Sequence, residues 1–116
     1  MNIKIILLVG SCMLTQCVAA VEIKREKFCN NFRDVAFAVM HKRQIGVPME
    51  VVKSAAKDGT NTRFIPVLNR MIDYVYTTDV AANEPSRNEL SYQYAQNEFK
   101  ACLDGDIPEF KEIEDE

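Results

Sequence analysis

The sequence predicts an all-α domain, a compact bundle of about four helices with one disulfide linking the first and last helices. Three observations carry this expectation. Apolar residues recur at spacings of three and four over several stretches of the 116-residue chain, the period of a helix with one face on a core. Glycine, proline and asparagine punctuate the gaps between those stretches. Two cysteines, Cys29 and Cys102, fall on apolar rows near opposite ends of the region so organised. Hydrophobic residues make up 47% of the chain, enough to supply a core and too many for a disordered polymer. The length allows one domain and excludes a large multi-domain enzyme.

Residues 1–20, MNIKIILLVGSCMLTQCVAA, have the pattern of a secretory signal peptide. Lys4 supplies the positive start, an apolar run extends from Ile5 to about Leu14, and Val18, Ala19 and Ala20 are small residues suited to cleavage. The run is short of the roughly 20 apolar residues that a bilayer span takes. A competing form of the same address is a lipoprotein signal. Leu14-Thr15-Gln16-Cys17 resembles a lipobox, with Gln16 standing where that motif has Gly, Ala or Ser. Cleavage after Ala20 leaves a helical domain over residues 21–103 and an acidic tail over 104–116 in the periplasm or outside the cell. Lipidation of Cys17 anchors the same domain to a membrane.

Cys29 and Cys102 are 73 positions apart. In an exported chain two remaining cysteines are expected to pair, and closing a loop of this size stabilises by about 4 kcal/mol in the chain-entropy model. The rival role, a thiol nucleophile, needs a base, and His41 is the single histidine.

The first helix is expected over residues 24–44. Phe28, Phe32, Val35 and Val39 form its stripe, flanked by Cys29, Ala36 and Met40. Phe37 falls off that stripe, to be covered by another helix or left as a contact residue. Gly46 provides a left-handed stop, and His41, Lys42 and Arg43 suit the negative end of the helix dipole; a basic binding patch is the alternative. Pro48 then reads as the first residue of a short second helix, with Met49, Val52 and Ala56 on one face and Gly59 at its close. A third helix follows from Arg63 to Tyr76 or Thr77, capped by Asn61 or Thr62 and carrying Pro66 in its first turn. Residues 79–85 form a loop. Ser86-Arg87-Asn88-Glu89 reads as a capping box opening a fourth helix to about Leu103. Tyr92, Ala95, Phe99, Cys102 and Leu103 are assigned to its apolar face, widened by Leu90 and Tyr94, and Gly105 stops it.

The tail, DGDIPEFKEIEDE, holds seven acids and one lysine. Charge this dense favours a solvated segment, yet Ile107, Phe110 and Ile113 recur at threes and offer an edge to pack on the domain or a partner.

Motifs for chemistry are sparse. One histidine builds no histidine-based metal site, and no cysteine pair has ligand spacing. Gly-rich phosphate loops and the nucleophile elbow are missing from the sequence. Pairs such as Glu22/Glu26 and Glu84/Glu89 read as surface charges near helix starts. The expectation is a chain without catalytic residues, cofactor or metal. A net charge of −3 gives no nucleic-acid-binding surface.

The cysteine-bearing first helix, Arg43-Gln44-Ile45-Gly46-Val47-Pro48, Tyr74-Val75-Tyr76 and the spacing Tyr94-x-x-x-x-Phe99-x-x-Cys102 resemble small exported helical proteins of proteobacteria and their phages. Most of that class has no assigned activity. The resemblance covers residues 28–103. More distantly, the layout is similar to helical periplasmic immunity proteins, whose usual cysteine patterns differ. No functional residue is carried over from either. The expectation is a non-catalytic module that binds another protein, as an inhibitor or immunity factor, with Phe37, Tyr92, Tyr94 and Phe110 as candidate contacts and the acidic tail favouring a basic partner. An envelope-associated structural protein or lipoprotein, and a small-ligand carrier, are the alternatives.

Overall fold

The computed structural model describes residues 24–110. Residues 1–23, which hold the expected signal peptide and Cys17, and residues 111–116 of the tail lie outside this range. Within it the chain forms four helices, α1 (residues 24–44), α2 (Met49–Gly59), α3 (Ile65–Val75) and α4 (Glu84–Asp104), with 3-10 turns at Thr62–Phe64 and Pro108–Phe110. The described residues include no strand.

α1 turns Cys29, Phe32, Ala36, Val39 and Met40 inward, a row at spacings of three, four, three and one that keeps to a single helical face. Val35 lies at its margin and is 39% exposed, so the stripe is narrower there than the pattern predicts. The helix ends as Gly46 dictates. At φ +86° the Gly46 N–H donates to Arg43 O at 3.1 Å and the Val47 N–H to Lys42 O at 3.0 Å. These two bonds satisfy the last carbonyls in a Schellman arrangement. Gly105 closes α4 the same way, with φ +77° and bonds from Gly105 N to Cys102 O and Asp106 N to Ala101 O.

Two helix starts differ from the expected ones. Pro48 is the N-cap of α2, not its first helical residue; its extended backbone (ψ 146°) leaves its carbonyl to accept from Val51 and Val52. α4 begins three residues earlier than the Ser86 capping box implies. Asn83 is the cap, its side-chain oxygen accepting from Ser86 N at 2.9 Å. Glu84 occupies the first turn, favourable to the dipole, and Pro85 sits where its missing N–H costs nothing. Ser86 is thereby absorbed into the helix. α3 is entered through the 3-10 turn, whose Asn61 side chain accepts from Arg63 N.

α2 contributes Val52 to the core, and α3 contributes Val67, Met71, Ile72 and Val75. Ile72 and Val75 are wholly buried, each contributing about 1.5–3 kcal/mol of apolar burial. A Lys53–Asp73 ion pair at 2.6 Å bridges α2 and α3. Both groups are well exposed, which limits it to under about 1 kcal/mol.

α4 is where the pattern misleads. Its buried row is Ser91, Tyr94, Ala95 and Cys102, whereas Tyr92, assigned to the apolar face from sequence, is 58% exposed. The row is hard to read because it passes through a serine. The Ser91 hydroxyl is accommodated by donating to Arg87 O one turn back.

Cys29 and Cys102 form a disulfide with Cα atoms 5.6 Å apart. It ties the beginning of α1 to the end of α4. At the other end, the buried Gln44 of α1 bonds the loop that leads into α4, through Asp79 O and Ala81 N. The first and last helices therefore run antiparallel. A bridge of this kind forms and persists in an oxidising compartment. No described helix is long and apolar enough to cross a membrane.

Beyond Gly105 the chain folds back. Ile107 is 5% exposed, and Phe110 meets Phe28 and Phe32 edge-on at centroid distances of 4.7 and 5.0 Å. The start of the acidic tail thus belongs to the core.

Candidate functional site

α1 and α4 together build the clearest candidate surface. The turn-by-turn placement that buries Ala36 and Ala95 carries Phe37 and Tyr92 to the outside, one from each helix. They flank a depression of about 370 Å³ lined also by Arg33, Asp34, Ala95 and Gln96. Phe37 is stacked on His41 at 5.9 Å, and Arg33 lies over the Phe99 ring at 4.8 Å. These contacts hold the surface side chains in place: stacking restrains Phe37, and the cation–π contact restrains Arg33. The His41 Nδ1 atom is buried with no hydrogen-bond partner among the described residues.

The structure separates the four candidate contact residues. Phe37 and Tyr92 meet on one surface. Tyr94 is buried at 8% exposure, on the far side of α4 from that surface, with its ring stacked on Tyr74 at 5.9 Å. Phe110 is half-buried among Phe28, Phe32 and Phe64.

A second depression, about 240 Å³, opens beside Tyr94 between α3 and α4. Phe32, Val67 and Met71 line its floor, and Arg70, Tyr74 and Glu98 its polar side. The Tyr94 hydroxyl donates to the Glu98 carboxylate. Burial pushes the Tyr94 phenol well above its ordinary range, and the neighbouring carboxylate adds to that. Burial also raises Glu98 above the usual carboxylate range, against the hydrogen bond from Tyr94 and the charge of Arg70. Sequence reading missed this pair because Glu98 sits on an otherwise apolar row; its position four residues after Tyr94 is the signal that was there.

The raised Glu98 has a consequence for stability. Between the ordinary glutamate range and its higher folded value, the folded chain holds the proton more tightly than the unfolded chain does. Stability therefore falls as pH rises through that window. Glu98→Gln is expected to flatten the fall in Tm as pH rises above the ordinary glutamate range. Thermal unfolding across that range checks it; an unchanged slope in the variant assigns the fall to other groups.

The basic cluster at the end of α1 is partly structural. The Arg43 guanidinium donates twice to Thr78 O, at 3.2 and 3.1 Å, and lies over the Tyr76 ring at 5.3 Å. The Tyr76 hydroxyl in turn donates to Val47 O. Burial raises the Tyr76 phenol, with Arg43 opposing. Arg43 thus serves the loop after α3, a role that a count of charges near a helix end does not reveal. Among the described residues no group of three or more His, Cys, Asp or Glu side chains is arranged to hold a metal ion.

Comparison with protein-family models, with curated proteins and with solved structures finds no match to this chain.

Proposed function

We propose that this chain is an exported, non-catalytic protein-binding module of the inhibitor or immunity-factor kind. The observation that carries the reading is the pairing of exposed Phe37 and Tyr92 across one depression, with Arg33 at its edge. Aromatic and arginine side chains concentrate binding energy at protein interfaces. Here they stand on the two helices joined by the disulfide, so little conformational freedom is lost when a partner binds. The acidic tail attracts a basic partner and speeds encounter. The periplasm, or the exterior of the cell, is the compartment that fits the N-terminal segment and the bridge.

Affinity capture from envelope extract tests this, with the native chain and a Phe37→Ala/Tyr92→Ala variant side by side. Both side chains are exposed, so the variant is expected to keep its disulfide and its helical spectrum. The native chain is expected to recover a specific partner, and the variant to bind it at least about 30-fold more weakly, the loss of one interface hot spot. Equal capture by both chains, or no specific partner with either, overturns the reading.

A further inference from the structure

The depression between α3 and α4 lies apart from the Phe37–Tyr92 face and does not depend on the function proposed for it. Each of its walls presents two polar side chains one turn apart, Arg70 and Tyr74 on α3 and Tyr94 and Glu98 on α4. The two tyrosine rings stack at 5.9 Å, and the Arg70 charge acts on Glu98. Phe32, Val67 and Met71 close the floor of a space of about 240 Å³. We propose that this depression binds a small free primary amine with an aromatic or branched apolar body, its ammonium set against the Glu98 carboxylate and the Tyr74 ring and its body on the floor.

Three observations select this chemistry. The first is the make-up of the walls. A phenyl ring, a thioether and a valine beneath a few convergent polar groups are how small-molecule sites are built. A floor of this breadth suits a ring or a branched chain; the narrow stem of a lysine side chain would leave much of it wet. The second is unused acceptor capacity. A carboxylate offers about four lone-pair sites, and the Tyr94 hydroxyl takes one of those on Glu98. The donors of an ammonium fit the others. Tyr74 is 58% exposed, so part of its ring is open to the same cation.

The third observation is charge. Glu98 is half-buried, and the cost of burying its charge outweighs the help of Arg70 and of the Tyr94 bond. A carboxylate that holds a proton more readily than usual also favours an ammonium in the proton's place. Arg70 is exposed, so water and salt screen its repulsion of a second cation.

Methyl-resolved NMR titration of the oxidised chain tests the proposal, with phenethylamine as the probe. Phenethyl alcohol, phenylpropanoic acid and acetyl-lysine methylamide serve as comparisons. Phenethylamine is expected to shift the Val67 and Met71 methyl resonances saturably, with an affinity at least about tenfold above that of the alcohol, the acid or the lysine amide. Glu98→Gln is expected to remove that advantage and leave the affinity for the alcohol unchanged. If this variant loses its helical spectrum, the ranking of the four probes on the native chain decides alone. No saturable shift at about 10 mM amine overturns the proposal, as does equal binding of amine and alcohol. Preference for the acid overturns it by moving recognition to Arg70, and preference for the lysine amide by moving it to protein side chains. Shifts confined to residues around Phe37 and Tyr92 overturn it by moving the amine to the other face.

Discussion

Replacing both Cys29 and Cys102 with alanine is expected to lower stability by about 4 kcal/mol. The cross-link joins residues 73 positions apart, spanning most of the described residues, and it acts by limiting how far the unfolded chain can spread. For a domain of this size the loss corresponds to a fall in Tm of roughly 15–30 °C. It consumes much of the 5–15 kcal/mol by which small domains are stable. Thermal and denaturant unfolding of the native and doubly substituted chains, with and without reductant, measures it. Reductant is expected to bring the native chain down to the variant and leave the variant unchanged. A difference below about 1 kcal/mol would show that the four helices hold together through packing alone.

Gln44→Leu is expected to cost about 3 kcal/mol although it adds apolar surface to an apolar site. Gln44 is 1% exposed. Its side-chain oxygen accepts from Ala81 N at 2.8 Å and its amide donates to Asp79 O at 3.1 Å and to the Met40 sulfur at 3.6 Å. Leucine has nearly the same volume and offers neither partner, so it leaves a carbonyl and an N–H of the loop without their bonds. Gln44→Glu separates the two contributions. The carboxylate still accepts from Ala81 but does not donate to Asp79, and protonation restores that donor. The glutamate variant is therefore expected to regain stability as pH falls, and the leucine variant is not. Denaturant midpoints at two pH values, together with hydrogen exchange at the Ala81 amide, check both statements. Equal stability of all three chains would remove Gln44 as the clamp on this loop.

Much of the bundle was legible because burial and period coincide. Phe32, Ala36, Val39 and Met40 repeat as a helix must, and Gly46 and Gly105 stop their helices at positive φ. The helix starts were less legible. Asn83 and Ser86 are both good caps, and local propensity does not choose between them; the gain of seating Glu84 and Pro85 in the first turn does. On α4 a serine and a glutamate share the inward side with Tyr94 and Cys102, so hydrophobicity alone shifts the apparent face toward Tyr92. Both polar groups are accepted inside only because a particular neighbour satisfies them, Arg87 O for Ser91 and the Tyr94 hydroxyl for Glu98. Of the candidate surface, Phe37 was identifiable as a residue off its stripe. Its meeting with Tyr92 depends on how two helices distant in sequence lie together, and no local pattern holds that information. Gln44 gave still less warning, because its partners are backbone atoms 35 and 37 positions away.

The placement of the bridge governs the order in which the molecule matures. One sulfur belongs to the first turns of the domain and the other to its last helix, so a chain emerging amino end first presents an unpartnered thiol until nearly all of it has been delivered. Oxidation then seals an arrangement that the intervening helices have had time to find. A contact this distant along the chain gives a small helical protein an unusually non-local closing step, the type of topology that slows folding.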